Sequence, residues 1–188
     1  MKIGLYFGSF NPIHIGHLII ASHTIEHTDL QKIWFVVSPQ NPLKPSNALL
    51  NEYQRLNMVR LAVENDTRFN ASDVEFKLPK PSYTIDTLTY LSEKYPKHQF
   101  TVIMGSDSYT NLSKWKNYEL LVKHYSIIVY NRPGFEVEES QYNATILNAP
   151  LLDISSTLIR QQIKAKKNIK YLVPDPVFDE LMNNKYYK

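Results

Sequence analysis

An apolar run that does not alternate, Ile3-Gly4-Leu5-Tyr6-Phe7, stops at Gly8 and turns through Asn11-Pro12 into a segment carrying His14 and His17. A strand that is apolar on both faces belongs inside a parallel sheet with helices covering it from either side. That need excludes most architectures, because parallel neighbours require crossover helices. Glycine at the strand's end lets backbone approach an anion, and the helix that follows aims N–H groups and a partial positive charge at the same point. The layout is that of a phosphate site.

The rest of the chain supplies the elements this strand demands. Apolar runs predict further strands over 33–37, 70–76, 99–104 and 125–130, with one more over 144–147. Helices are predicted over 15–27, burying Leu18, Ile19 and Ala21 through Ile25, and over 52–64, where Asn51 caps and Leu56, Val59, Arg60 and Val63 share one face. A third is predicted over 83–95, with Ser82 or Thr84 as its cap, and short ones over 109–112 and 118–123. Ser155, Ser156 and Thr157 cap a helix over 158–166, and Asp175 caps the last, over 175–183, with Pro176 at its first position. The stretches 38–51 and 77–82 are proline-rich and read as loops. Alternating strands and helices define an α/β, doubly wound parallel sheet of Rossmann-like type, which binds ligands outside the carboxyl ends of its strands.

At 188 residues, 43% of them hydrophobic, the chain has the size of one domain, with a small helical part from about residue 155. It has no cysteine, which rules out disulfides and thiolate zinc sites. No apolar run approaches the roughly 20 residues that span a bilayer, so a cytoplasmic protein without a membrane partner is expected. A net charge of +3 is too small to imply nucleic acid, and the basic group Lys164, Lys166, Lys167 and Lys170 reads as a solvated face.

Histidines three apart at a helix start share a face, so His14 and His17 can both donate hydrogen bonds to one phosphate chain. Half of a metal site is the rival reading, but no third ligand is in view, and no metal is assigned to protein side chains. Ser155, Ser156 and Thr157 offer hydroxyls and helix-start amides, with Arg160 one turn on along the same face. That set suits the β and γ phosphates of ATP.

Gly8-x-Phe10-x-Pro12-x-His14-x-Gly16-His17 resembles the GxFxPxHxGH signature of the nucleotidyltransferase superfamily, and Ile154-Ser155-Ser156-Thr157-Leu158-Ile159-Arg160 resembles its ISSTxIR signature. Over its whole length the chain is similar to the bacterial nicotinate mononucleotide adenylyltransferases. The residues that suggest this family are Pro81 to Thr87, Gly105-Ser106-Asp107, Lys114-Trp115 and Arg132-Pro133-Gly134. The resemblance implies transfer of AMP from ATP to nicotinate mononucleotide in NAD biosynthesis, with Mg²⁺ held mainly by ATP phosphates. It implies His14, His17, Arg160 and Lys44 as catalytic residues. It assigns Gly8, Ser9, Phe10, Gly16, Gly105, Asp107, Arg132, Ser155, Ser156 and Thr157 to ATP. Lys44, Tyr83, Thr84 and Trp115 are assigned to the mononucleotide, with ring stacking and helix-start amides selecting a carboxylate. The oligomeric state, including a homo-oligomer, stays open.

Three positions depart from the family's pattern: Asn11 replaces an aspartate, Phe7 a second glycine and Leu43 a histidine. Rival readings are the same chemistry on nicotinamide mononucleotide, phosphopantetheine or glycerol phosphate, and a nucleotide-binding regulator without catalysis. His-Ile-Gly-His also matches the ATP motif of class I aminoacyl-tRNA synthetases, although a KMSKS-like segment is lacking.

Overall fold

The computed structural model describes residues 1–40, 49–132, 134–138, 140–150 and 153–188. Among these, six strands form one sheet: β1 Lys2–Gly8, β2 Lys32–Val37, β3 Phe69–Ser72, β4 Gln99–Gly105, β5 Ser126–Tyr130 and β6 Ala144–Leu147. They lie in the order β3-β2-β1-β4-β5-β6, and every neighbouring pair is parallel. This is the doubly wound sheet that the apolar runs demand. β1 is central, with Leu5 in register with Trp34 on one side and Val102 on the other. Ile3 and Leu5 are fully buried, as a strand covered on both faces requires.

The helices are α1 Ile15–Glu26, α2 Glu52–Val63, α3 Thr84–Lys94, α4 Ser106–Tyr109, α5 Tyr118–His124, α6 Ser156–Lys164 and α7 Asp175–Asn183. They build two apolar layers. One joins Ile33, Phe35 and Val37 to Ile20 of α1, Leu56 of α2, Ile159 of α6 and Leu181 of α7. The other joins Ile3, Leu5, Val102 and Val129 to Leu88 of α3 and Leu121 of α5. Each buried side chain of this size stabilises the fold by about 1.5–3 kcal/mol. The strand order reverses between β1 and β4, which opens a crevice at their carboxyl ends. Gly8 and Gly105 are the last residues of those two strands.

Several local expectations are corrected. α2 buries Arg55 with Leu56, Val59 and Val63, while Arg60 is exposed, because backbone carbonyls surround the Arg55 guanidinium. In α1, Ala21, Thr24 and Ile25 are buried as expected and Ile20 joins them, whereas Leu18, Ile19, Ser22 and His23 stay half-buried. The third strand ends at Ser72 and gives way to a 3₁₀ turn, Val74–Lys77, which carries the Glu75 carboxylate inward. α3 is preceded by Tyr83 at its cap position, and the Ser82 hydroxyl donates to Glu75 at 2.8 Å instead of capping. The short helix expected over 109–112 starts earlier, as α4, and Leu112–Lys114 is a 3₁₀ turn. α6 stops at Lys164, with Lys166 in the left-handed region at φ 56°. Pro174, not Asp175, occupies the cap of α7. Asn51 and Ser155 do cap, accepting from the Tyr53 amide at 2.9 Å and the Leu158 amide at 3.2 Å. Among the described residues no helix is long and apolar enough to cross a membrane.

Candidate active site

A cavity of about 620 Å³ occupies the crevice at the carboxyl ends of β1 and β4. Its floor is the turn after β1. A Cβ at Gly8 would stand 2.8 Å from the Phe10 ring, so glycine lets that ring fold back over the strand end, with Phe10 itself at φ 44°. The Asn11 side-chain oxygen accepts from the Leu50 amide at 3.2 Å and the Tyr187 hydroxyl at 2.5 Å. Its role in this structure is to hold backbone and tail, which a neutral amide does as well as a carboxylate. Phe7, another departure from the family's pattern, is half-buried and lines the cavity.

His14 and His17 lie face to face, with ring centroids 3.7 Å apart. The His14 amide donates to His17 Nδ1 at 3.2 Å, so the neutral His17 ring carries its proton on Nε2. Edge contacts with Phe10 at 5.1 Å and Tyr6 at 6.0 Å fix that ring's plane. A Cβ at Gly16 would come within 3.1 Å of the His14 ring, so the glycine makes room for the imidazole. Burial, reinforced by the positive charge of Arg132, pushes His14 down to about 4, and it is neutral at pH 7. Its buried Nδ1 has no hydrogen-bond partner among the described residues. The first amide of α1, that of Ile15, donates to the Leu172 carbonyl at 3.0 Å and so is engaged within the fold.

The start of α6 lies directly against the turn after β1 and lines the same cavity. Ser156 Oγ donates to the Pro12 carbonyl at 2.8 Å, and Arg160 Nη1 donates to the Asn11 carbonyl at 2.8 Å. Arg160 Nη2 reaches Thr157 Oγ1 at 3.2 Å. The two motifs are thus fastened to each other, and the hydroxyls of Ser155 and Ser156 are engaged within the fold. At the end of β4, a Cβ on Gly105 would stand 2.5 Å from Asp107 Oδ1 and 3.0 Å from Arg132 Nε. Glycine there allows the Asp107–Arg132 pair, at 3.4 Å, to close over the strand.

Tyr83, Thr84 and Trp115 line the same cavity. Trp115 is half-buried against the core and also faces the cavity, so packing and platform are one position. Thr84 opens α3, where the first amides of a helix point out of its end. His14, His17, Arg160, Gly8, Ser9 and Phe10 meet around this space with Gly105, Asp107, Arg132, Ser155, Ser156 and Thr157. Gly16 does not line it, being buried under His14. Lys44, Leu43 and Pro133 lie outside the described residues.

Sequence reasoning missed four residues. Tyr6 donates to the Tyr130 hydroxyl at 3.1 Å, and Tyr130 accepts from Arg132 Nη2 at 3.2 Å, a chain from the core to the cavity wall. Burial raises the Tyr6 phenol well above its ordinary value, so it remains a donor. Within apolar strands both tyrosines read simply as core. Glu75 is buried and lines the cavity, accepting from Ser82 at 2.8 Å and Thr87 at 3.0 Å, and burial raises its carboxyl. Arg55 is the fourth. Among the described residues no group of three or more His, Cys, Asp or Glu is arranged to hold a metal ion.

A doubly wound sheet with a cationic, glycine-edged cavity at its switch point defines a nucleotide-binding α/β protein. The model of the cytidylyltransferase-like family matches residues 5–162, and the chain belongs to that family of nucleotidyltransferases. A probable nicotinate-nucleotide adenylyltransferase of Cytophaga hutchinsonii is 51% identical over all of this chain and 98% of its own length. One of the same name from Bacteroides thetaiotaomicron is 43% identical, covering 95% of this chain and 90% of its own. Among solved structures, the nicotinic acid mononucleotide adenylyltransferase of Plasmodium falciparum complexed with NaAD matches with a TM-score of 0.84. It is 23% identical over 99% of this chain and 97% of that chain, a likeness of fold.

Proposed function

We propose that the chain transfers AMP from ATP to nicotinate mononucleotide, giving nicotinate adenine dinucleotide and pyrophosphate in NAD biosynthesis. The observation that carries this reading is the single cavity joining the His14–His17 turn and the start of α6 to Tyr83, Thr84 and Trp115. Donors for a triphosphate and a flat aromatic platform meet there in one space. The name shared by full-length relatives up to 51% identical supports the choice of acceptor.

A phosphate oxygen of the mononucleotide attacks the α-phosphorus of ATP in line. The new oxygen–phosphorus bond forms as the bond to the bridging oxygen breaks, and pyrophosphate leaves with the electron pair. Such a displacement needs positioning and donors for charge developing on phosphate oxygens, with little covalent help. His17 presents Nε2–H, His14 adds a second imidazole face, and Arg160 and Arg132 supply fixed positive charge. Lys44 would span the phosphates of both substrates. Ser155, Ser156 and Thr157 present the amides of a helix start. Mg²⁺ would arrive on the phosphate oxygens of ATP and neutralise part of their charge. Among the described residues the cavity carboxylates are engaged within the fold, Asp107 by Arg132 and Glu75 by Ser82 and Thr87. Pyrophosphate release, measured with ATP and each mononucleotide in turn, tests the reading. Release with the nicotinate form well above the nicotinamide form is expected, and equal rates would remove the claimed carboxylate recognition.

A further inference from the structure

Beside the turn after β1, and not lining the cavity, sits a buried arginine that none of the chemistry above uses. Arg55 is fully buried, yet no ion pair among the described residues involves it. Its donors go to backbone carbonyls: Nε to Leu50 at 2.8 Å, Nη1 to Ser9 at 2.5 Å and to Ser38 at 2.8 Å, and Nη2 to Pro39 at 2.9 Å. One guanidinium thus ties together the turn after β1, the end of β2 and the approach to α2. Burying a cation without an ion-paired carboxylate is unfavourable, and charge-assisted bonds to several carbonyls offset that only while all are in place. The demand is therefore for one geometry of three segments, not for a bridge between two.

The neighbouring turn residue is held from the end of the chain. After α7 the backbone doubles back, with the Tyr186 amide donating to the Leu181 carbonyl at 3.1 Å and Tyr187 in the left-handed region at φ 63°. A non-glycine residue there is strained unless its surroundings over-determine it. The Tyr187 ring packs against the core, and its hydroxyl donates to the Asn11 side chain at 2.5 Å. Arg160 takes the carbonyl of the same Asn11 from the other side. Burial raises the Tyr187 phenol, so it stays a donor through the neutral range.

We infer that Arg55 and Tyr187 are positioning residues for ATP: a clamp formed by α2 and the carboxyl-terminal tail fixes the Ser9–Asn11 backbone whose opposite side faces the triphosphate. This rests on the ATP-dependent reading given above. A fixed turn keeps Phe10 against His17 and the Asn11 carbonyl under Arg160, so both a catalytic imidazole and a phosphate-binding guanidinium inherit their placement from the clamp. The mononucleotide side, built on α3 and the Trp115 turn, is reached from Arg55 only at one remove, from Ser38 through Glu75 to Ser82 and Thr87, whereas the Ser9–Asn11 turn is held by Arg55 and Tyr187 directly.

The test uses the full chain with Tyr187→Phe and Arg55→Lys, reading three quantities. Steady-state pyrophosphate release gives kcat and each KM, calorimetry with a non-hydrolysable ATP analogue gives binding without turnover, and thermal melting gives stability. Tyr187→Phe deletes one hydrogen bond, and kcat/KM for ATP is expected to fall about 3- to 10-fold. Arg55→Lys keeps the charge but loses the fork, and a fall of roughly 10²-fold is expected, as for an ångström of misplacement. In Tyr187→Phe the KM for the mononucleotide stays near its original value, in Arg55→Lys it rises less than that for ATP, and in both the analogue binds more weakly. Wild-type kinetics and analogue affinity in both variants would overturn the clamp. So would equal losses for the two substrates that follow the loss of melting temperature, since that is a general effect on folding. If Arg55→Lys does not fold, Tyr187→Phe alone decides. If the unaltered protein releases no pyrophosphate, the proposed activity fails, and the analogue-binding comparison still decides the clamp.

Discussion

His14 makes the stability of this protein depend on pH in a direction and over a range that the structure specifies. In the unfolded chain its imidazole titrates near the ordinary 6.5, and in the folded protein burial and Arg132 hold it at about 4. Above the higher value both states are neutral and nothing changes. Between the two values the unfolded state binds a proton that the folded state refuses, so stability falls as pH falls. At 1.36 kcal/mol for each pH unit inside that window, the loss is roughly 2.5 kcal/mol between about pH 7 and about pH 4.5. Other groups titrate there too: burial raises Glu75, a carboxyl, which acts with the opposite sign. The clean measurement is therefore a difference. Urea denaturation of the protein and of His14→Gln, which cannot titrate, is followed across that range, and the free-energy gap between them is plotted against pH. The gap should move against the histidine protein by the stated amount as the solution is acidified. A gap that stays constant would show that His14 is not held neutral by its surroundings, and the electrostatic account of the site would fall with it.

His17→Ala should lower kcat by roughly 10² or more, as for loss of a transition-state donor, and unchanged turnover in steady-state assays would refute the phosphate-site placement. Trp115→Ala should mainly raise KM for the mononucleotide; a change confined to ATP contradicts its position beside Tyr83 and Thr84. Gly105→Ala puts a methyl group 2.5 Å from Asp107 Oδ1 and 3.0 Å from Arg132 Nε, so both side chains must shift from the cavity wall and KM for ATP should rise. Asn51→Ala removes the cap of α2 and should cost about 1 kcal/mol in urea denaturation, with no change in stability as the refuting result.

The sheet was legible because buried parallel strands leave unbroken apolar runs, and Ile3 to Phe7 could hardly be anything else. Caps written in the sequence, Asn51 and Ser155, were read correctly because capping is local. Some errors lie at element ends, as at Ser72, Lys164 and Asp175, where boundary signals are weak; others came where a polar side chain finds a distant partner. Arg55 and Arg60 both fit the spacing of α2, and only the Ser9, Ser38, Pro39 and Leu50 carbonyls decide which one is inside. Ser82 looks like a cap until Glu75 is placed within reach of its hydroxyl. Of the site, the two signature segments announced themselves, whereas Tyr6, Tyr130, Glu75 and Arg55 support it from inside strands, turns and helices where such residues have commoner uses.

Those supporting residues explain how a neutral His14 can serve a polyanion. A protonated His14 would attract phosphate strongly but would sit buried beside Arg132 with no ligand bound, an arrangement the low pKa shows to be unfavourable. Fixed positive charge resides instead on Arg132, braced by Asp107 and Tyr130, and on Arg160, braced by Asn11 and Thr157. Guanidinium groups keep their charge at any working pH and can be oriented by such partners. The imidazoles then serve as oriented N–H dipoles, which hold their direction by packing against Phe10, Tyr6 and each other. Attraction and alignment are thus carried by different side chains, and only the second needs the close packing that Gly8 and Gly16 make possible.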